Sequence, residues 1–325
     1  MEMIRWGIIG CGNVTEVKSG PAFNLVQNSK LLAVMRRDQQ LLQDYAVRHK
    51  VPLTFTNASE LIQHPEIDAI YIATPPDVHE QYAIEALRAG KNVYVEKPMA
   101  TSVEACLNMQ LEANKSNGKL VIAHYRRSLP LFLKVKELLA NNFIGKVKEV
   151  NIIMHKNAAP KQYYENNWRV NKESAGGGLF YDLAPHQIDL VFYFFGTAIS
   201  YQGKAFNTAG LYYVEDNVKG SILLQNDIQF KGEWNFAMEQ GEEKDEFIIT
   251  GDLGVIKFSV FGFTINIEKD NKVEVIEFEA PKHIQQNHIE KVVQYFLGKG
   301  ENPCTVEEAI KSMRVMESFV YGDIH

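Results

Sequence analysis

Four clusters of residues carry types and spacings suited to chemistry. Near the start, Gly10-Cys11-Gly12-Asn13-Val14-Thr15 follows a short apolar run. Glycines let a backbone turn tightly and approach a pyrophosphate, whose charge rests on the N–H groups that open the next helix. Thr15 stands where a third glycine would complete that fingerprint, and Gly20-Pro21 interrupts the helix that should follow. A tight turn with no ligand is the alternative. The second cluster, Met35-Arg36-Arg37, ends another apolar run, at the place where a carboxylate usually holds the ribose 2′-hydroxyl of NAD. Here the nearest acid is Asp38. Two guanidiniums suit a 2′-phosphate, and Arg36 can stack on an adenine. The plainer possibility is a solvated basic pair that starts a surface helix.

The third cluster is Tyr94-Val95-Glu96-Lys97-Pro98, at the end of an apolar run, with a lysine pointing into the crevice where a nicotinamide would lie. Pro98 fixes the turn and allows a cis Lys97-Pro98 bond. Ile72-Ala73-Thr74-Pro75-Pro76-Asp77-Val78-His79 ends a further run at the same crevice. The fourth cluster is Gly176-Gly177-Gly178-Leu179-Phe180-Tyr181-Asp182-Leu183-Ala184-Pro185-His186. Asp182 and His186, four residues apart, share a helical face with Cβ atoms roughly 5–6 Å apart. Three glycines before them would let the chain pass close to a ligand. Alternatively, Asp182 caps the helix and His186 is a satisfied, partly buried histidine. No third ligand has metal-site spacing, so no metal is expected. Tyr125, Arg126, Tyr163, Tyr164 and Trp168 offer donors and flat faces suited to a sugar, though aromatic residues more often form core.

The elements that must position these residues fall into two textures. Over residues 1–124, the apolar runs Ile4 to Ile9, Leu31 to Met35, Ala69 to Ala73, Asn92 to Val95 and Leu120 to Ala123 alternate with amphipathic stretches. Those stretches are Gln39 to His49, Val78 to Ala89 and Val103 to Asn117. Alternating β and α with short connections predicts a doubly wound parallel sheet, a Rossmann domain with ligands at the strand C-termini. Residues 125–325 predict an α+β domain for substrate binding and oligomerisation, built on a large open antiparallel sheet. Its helices are Leu129 to Asn142, Leu183 to Phe194, Ile284 to Leu297 and Val306 to Tyr321, the last able to pack back on the first domain. Turn signals such as Gln225-Asn226-Asp227 and Gly251-Asp252-Leu253-Gly254 separate its strands.

Composition bounds the partners. The chain of 325 residues is 46% hydrophobic and 23% charged, with a net charge of −6, which gives no reason to expect nucleic acid or an anionic membrane. No apolar run suits a spanning helix, and no signal-peptide pattern opens the chain. Cys11, Cys106 and Cys304 are three and widely spaced, against a disulfide framework. A reduced cytoplasmic protein is expected. Phe230, Gly232, Trp234 and Phe236 alternate along one strand, so one sheet face is apolar. If the other carries the remaining apolar residues, a second copy must cover it, giving a homodimer or homotetramer.

Taken in order, the glycine turn, the Thr74-Pro75-Pro76…His79 segment, Glu96-Lys97-Pro98, Trp168-Arg169 and the Gly-Gly-Gly…Asp182…His186 signature resemble the glucose–fructose oxidoreductase/inositol dehydrogenase (Gfo/Idh/MocA) family over nearly the whole chain. The resemblance implies an NAD(P)-dependent oxidoreductase of sugars, polyols and related hydroxy compounds. It implies a catalytic trio of Lys97, Asp182 and His186, with Trp168 and Arg169 lining the nicotinamide and substrate pocket. Gly10, Cys11, Gly12, Asn13, Val14, Arg36, Arg37, Thr74, Pro75, His79 and Glu96 complete the expected cofactor site, and Tyr125, Arg126 and Tyr164 join the substrate side. Arg36, where NAD-using members carry Asp, favours NADP(H) over NAD(H), with NAD(H) still usable.

Hydride transfer between nicotinamide C4 and a secondary carbinol needs a proton moved on the oxygen. An imidazole, with an ordinary pKa of about 6.5, suits that work at His186. Lys97 would polarise the substrate oxygen or relay its proton, and Asp182 would hold a substrate hydroxyl or orient Lys97. Two alternatives are a dihydrodiol or other non-sugar dehydrogenase of the family, and a non-catalytic NADP(H)-binding redox sensor, which would need no such trio.

Overall fold

Unbroken apolar runs mark strands covered on both faces, and the first unit bears this out. Strands β1 (Ile4–Ile9), β2 (Ser29–Met35), β3 (Leu53–Phe55), β4 (Ala69–Ile72), β5 (Asn92–Val95) and β6 (Leu120–Ile122) form one sheet in the order β3-β2-β1-β4-β5-β6. Every pairing is parallel. β4 and β6 are buried along their whole length. The strand order reverses between β1 and β4, the point where doubly wound sheets bind ligands beyond the strand C-termini. The computed structural model describes residues 2–160, 164, 165 and 167–322.

The sheet's core centres on Trp6, Phe23, Tyr45, Tyr71 and Tyr94, joined by Ile289, Val292, Val293 and Phe296 from the helix Gln286–Phe296. Trp6 lies 4.7 Å from the Phe23 ring and 5.6 Å from that of Phe296. That contact redraws the division of the chain. One compact unit comprises Met1–Leu129 with Pro281–Ile310, and the other Pro130–Ala280 with Lys311–His325. The boundary therefore differs from a single division after residue 124. The apolar stripe of the late helix completes the first core, and the buried Arg127 donates to Glu308 at 2.6 Å. The helix Val306–Tyr321 begins in the first unit and ends in the second.

The second unit carries β7 (Val147–Asn157), β8 (Ala198–Phe206), β9 (Asn217–Leu224), β10 (Gln229–Met238), β11 (Lys244–Gly251), β12 (Gly254–Phe258), β13 (Thr264–Lys269) and β14 (Lys272–Glu277). They form one sheet in the order β14-β13-β12-β11-β7-β10-β9-β8. The expected antiparallel sheet is in fact mixed, because β7 enters its middle and runs parallel to β10. The strands β8 to β10 and β11 to β14 run as two antiparallel meanders, and Asn226 and Asp227, with φ of 61° and 62°, form the turn that joins β9 to β10. On one face Phe230, Trp234 and Phe236 are buried. There Trp234 Nε1 donates to Gln187 Oε1 at 2.6 Å, and Phe180 meets the indole edge-on at 5.0 Å. The opposite face carries cross-strand ion pairs, Lys231–Glu149 at 3.0 Å and Lys219–Glu233 at 3.2 Å, around Ile153 and Ile248. Among the described residues, no helix is long and apolar enough to cross a membrane.

Candidate active site

β1 ends at Ile9, and Gly10, with φ of +89°, turns the chain so tightly that a Cβ would lie 2.8 Å from Thr74 Cγ2. The N–H groups of Gly10 and Cys11 both donate to Met35 O, at 3.0 and 3.2 Å, which ties the turn to the end of β2. Gly12 is under no such demand. A Cβ there would meet only Gly10 O, at 3.9 Å. The hydroxyl of Thr74, the residue packed on Gly10, is buried without a hydrogen-bond partner among the described residues. Open space over a glycine and an orphaned donor beside the turn both fit an anionic dinucleotide laid across Gly10–Val14. Burial pushes the Cys11 thiol up to about 11, so it packs as a neutral side chain.

Thr15 and Gly20 form one device. Thr15 Oγ1 donates back to Gly12 O at 2.8 Å, and the Tyr45 hydroxyl donates to Thr15 O at 3.0 Å. The helix after the turn spans only Asn13–Val17. The chain then doubles back so closely that a Cβ on Gly20 would sit 2.1 Å from Thr15 O. Beside the turn, the half-buried Arg36 donates from Nη1 to Cys11 O at 3.0 Å. Arg37 is exposed. The Asp38 carboxylate accepts from Leu41 N at 3.0 Å and caps the helix Gln39–His49, so the nearest acid is engaged in capping.

Glu96 and Lys97 leave β5 at the same sheet edge. Glu96, expected as a cofactor contact, is only 6% exposed. Its carboxylate accepts from the Tyr71 hydroxyl at 2.5 Å, Gln285 Nε2 at 2.6 Å and Lys97 N at 3.2 Å. The Tyr94 hydroxyl donates to the other end of Gln285 at 3.0 Å. Burial, then the Glu96 charge, hold the Tyr71 hydroxyl well above its ordinary range, which keeps it a donor. Glu96 therefore supports the turn that presents the half-buried Lys97. The Lys97-Pro98 peptide is cis. His79 has a similar place. It is fully buried, with its ring nitrogens 3.1 Å from Pro98 O and 2.9 Å from Thr74 O. Burial lowers its pKa, and the ring clamps the Thr74-Pro75 turn to the Lys97-Pro98 turn from behind. Sequence reasoning missed Tyr71 and Gln285, whose partners lie far away along the chain.

In the second unit the helix Gly178–Phe195 carries Asp182 and His186. It starts before the expected Leu183, because its opening glycines belong to it. Asp182 is thus inside the helix, and Gly177 is the capping position. The glycine run serves packing rather than ligand approach. Gly176 has φ of +74°, a Cβ on Gly177 would lie 2.3 Å from the Tyr181 ring, and Gly178, with φ of +65°, would meet Val214 at 2.5 Å. Asp182 Oδ2 accepts from Arg169 Nε at 3.0 Å, and the Arg169 guanidinium lies 4.5 Å over the Trp168 ring. Trp168, Arg169 and Asp182 therefore make one group. His186, 4% exposed, meets the Phe261 ring edge-on at 5.7 Å and 85°.

The other aromatic candidates offer little surface. Tyr125 and Arg126 are buried, the guanidinium 5.5 Å over the phenol ring. Tyr164 is buried with Val170 and Val214, and its hydroxyl accepts from Ala159 N at 2.9 Å, so it is placed as core rather than as a substrate contact. Tyr163 lies outside the described residues.

Residues 4–124 match the family model described as an oxidoreductase family with an NAD-binding Rossmann fold, and residues 132–257 match the GFO/IDH/MocA C-terminal domain. Oxidoreductase P35 of Formosa agariphila is 47% identical over 319 residues, 97% of this chain and 98% of its own. The 1,5-anhydro-D-fructose reductase of Ensifer adhaerens is 25% identical over 228 residues, covering 70% of this chain and 67% of its own. The solved aldose-aldose oxidoreductase of Caulobacter crescentus, complexed with glycerol, superposes with a TM-score of 0.86 at 20% identity, covering 98% and 96% of the two chains. That last likeness is one of fold.

Proposed function

The chain belongs to the GFO/IDH/MocA family of oxidoreductases, and we propose that it is an NADP(H)-dependent dehydrogenase or reductase of a sugar-like carbonyl or secondary alcohol. Arg36 carries the cofactor preference. Its guanidinium is held on Cys11 O beside the glycine turn, while Asp38 is turned away into a helix cap. A 2′-phosphate wants a guanidinium there and no carboxylate. NAD(H) is accommodated with lower affinity. The sugar-like substrate draws support from the 1,5-anhydro-D-fructose reductase among the relatives.

A bound nicotinamide would supply the hydride chemistry. The protein's part is the proton. As an alcohol loses its C–H hydride, Lys97 or His186 takes the O–H proton, and in the reverse direction the same groups return it. Asp182, held in place by Arg169, would accept from a neighbouring substrate hydroxyl. We further infer a cytoplasmic homodimer or homotetramer. Light scattering showing a 36.9 kDa particle at micromolar concentration would overturn that assembly.

Calorimetric titration with NADPH and NADH, beside a screen of aldoses, ketoses, inositols and diols followed at the nicotinamide absorbance, tests the reading. NADPH should bind more tightly, and Lys97→Ala should lower kcat by about 10²–10⁴-fold with cofactor affinity retained. Tighter binding of NADH, or full turnover by Lys97→Ala, overturns it.

A further inference from the structure

One end of the second unit's sheet gathers the close of β7, the start of β11 and the turn that leaves β12. The side chain of Asp245, in β11, reaches that turn. It accepts from Val260 N at 3.2 Å, from Phe261 N at 2.8 Å and from the Ser259 hydroxyl. Three donors on one carboxylate fix the turn's backbone, and with it the direction of Phe261. The ring so held is 36% exposed, although Phe258 and Val260 beside it are buried. Its edge contact is the His186 imidazole, at 5.7 Å, and the Lys156 ammonium stands 6.0 Å from its centroid. The fold thus holds a large apolar ring partly in solvent, against the histidine proposed to move a proton.

We propose that Phe261 touches the substrate and helps to set its specificity, offering an aromatic surface to the C–H face of a ring-shaped hydroxy compound whose reacting oxygen faces His186. Asp245 is a positioning residue that acts through the Ser259–Phe261 turn. This rests on the oxidoreductase reading above. Small-molecule sites pair such aromatic walls with a few placed polar groups, and a lost aromatic contact of this kind is worth roughly a factor of ten in affinity.

The test is steady-state kinetics of wild type, Phe261→Ala, Phe261→Tyr and Asp245→Asn over the same panel of aldoses, ketoses, inositols and acyclic diols. Thermal melting and NADPH calorimetry accompany each variant. Phe261→Ala should raise KM for ring-shaped substrates roughly tenfold, with kcat changed far less. Acyclic diols should suffer less, Phe261→Tyr should restore KM, and NADPH affinity should stay at the wild-type value. Asp245→Asn should shift KM in the same direction by less. An unmoved KM in Phe261→Ala beside normal wild-type turnover overturns this proposal alone, as does a fall in melting temperature and kcat with KM unchanged. A wild type that turns over nothing in the panel overturns the oxidoreductase reading and this proposal with it.

Discussion

The two glycine-rich turns of this chain look alike in sequence and differ in what they serve. At Gly176-Gly177-Gly178 the fold itself requires each residue, two through positive φ and one through the Tyr181 ring 2.3 Å from a would-be Cβ. At Gly10-Cys11-Gly12 the fold requires Gly10 and makes no use of the space at Gly12. The space left at Gly12 is room that a ligand can use. Glycine content alone therefore does not say whether a turn faces protein or open space.

Substitution separates the two cases most strongly. Gly178→Ala would force φ of +65° on a residue with a Cβ and drive that atom to 2.5 Å from Val214, so it should cost about 3 kcal/mol or more of stability. Cofactor affinity per folded molecule should stay unchanged. Gly12→Ala should do the reverse. Gly12 sits at φ −135° and ψ −155°, extended backbone that alanine adopts, so stability should hold or rise by about 0.5 kcal/mol. NADPH affinity should fall by about 2 kcal/mol as the methyl meets the pyrophosphate. Chemical denaturation and calorimetry on both variants read the two effects. A Gly12→Ala protein that binds NADPH as wild type does would break the contrast.

Arg36→Asp sharpens the same contrast from the other side of the turn. Removing the guanidinium and adding a carboxylate should cost NADPH about 1.5 kcal/mol or more, roughly tenfold, and leave NADH less affected. Part of the loss in both cofactors would come from the bond to Cys11 O, which steadies the turn. The ratio of the two affinities therefore isolates the 2′-phosphate. A ratio unchanged by the substitution would show that Arg36 serves the turn alone.

Much of this arrangement was legible in the chain because it is local. The apolar runs of β1, β4 and β5 and the i, i+4 pair of Asp182 and His186 follow from spacing. Three residues of β3 are too few to show a period, and the helix Ala58–Gln63 was missed with them. The parallel entry of β7 beside β10 joins segments far apart in sequence, as does the return of Gln285 to Glu96. The side chains of Glu96 and His79 are buried and hydrogen-bonded at their turns, which a motif does not reveal, since it fixes a position and not which way a side chain faces. Arg169 beside Asp182, and Phe261 beside His186, needed the fold to bring them together.

The smallest effect concerns how the turn at Gly12 is braced. Glu16, on the short helix that follows, accepts from both terminal nitrogens of Arg48, at 2.7 and 2.8 Å, and lies 2.8 Å from His49 Nε2. The Arg48 guanidinium, foremost among these, holds the Glu16 carboxyl down at about 2 from its usual 4.5. A carboxyl with a depressed folded-state pKa contributes stability that is complete above its unfolded value and is lost as pH falls through the folded one. Wild type should therefore lose stability between pH 4.5 and 2 that Glu16→Gln does not lose, while the two differ by a constant amount near neutrality. Both partners are partly solvated, so the difference should be small and should shrink further in high salt. Melting curves across that pH range, at low and high ionic strength, read it directly. Parallel curves for the two proteins would mean that Thr15, through Tyr45 and Gly20, braces the turn without Glu16.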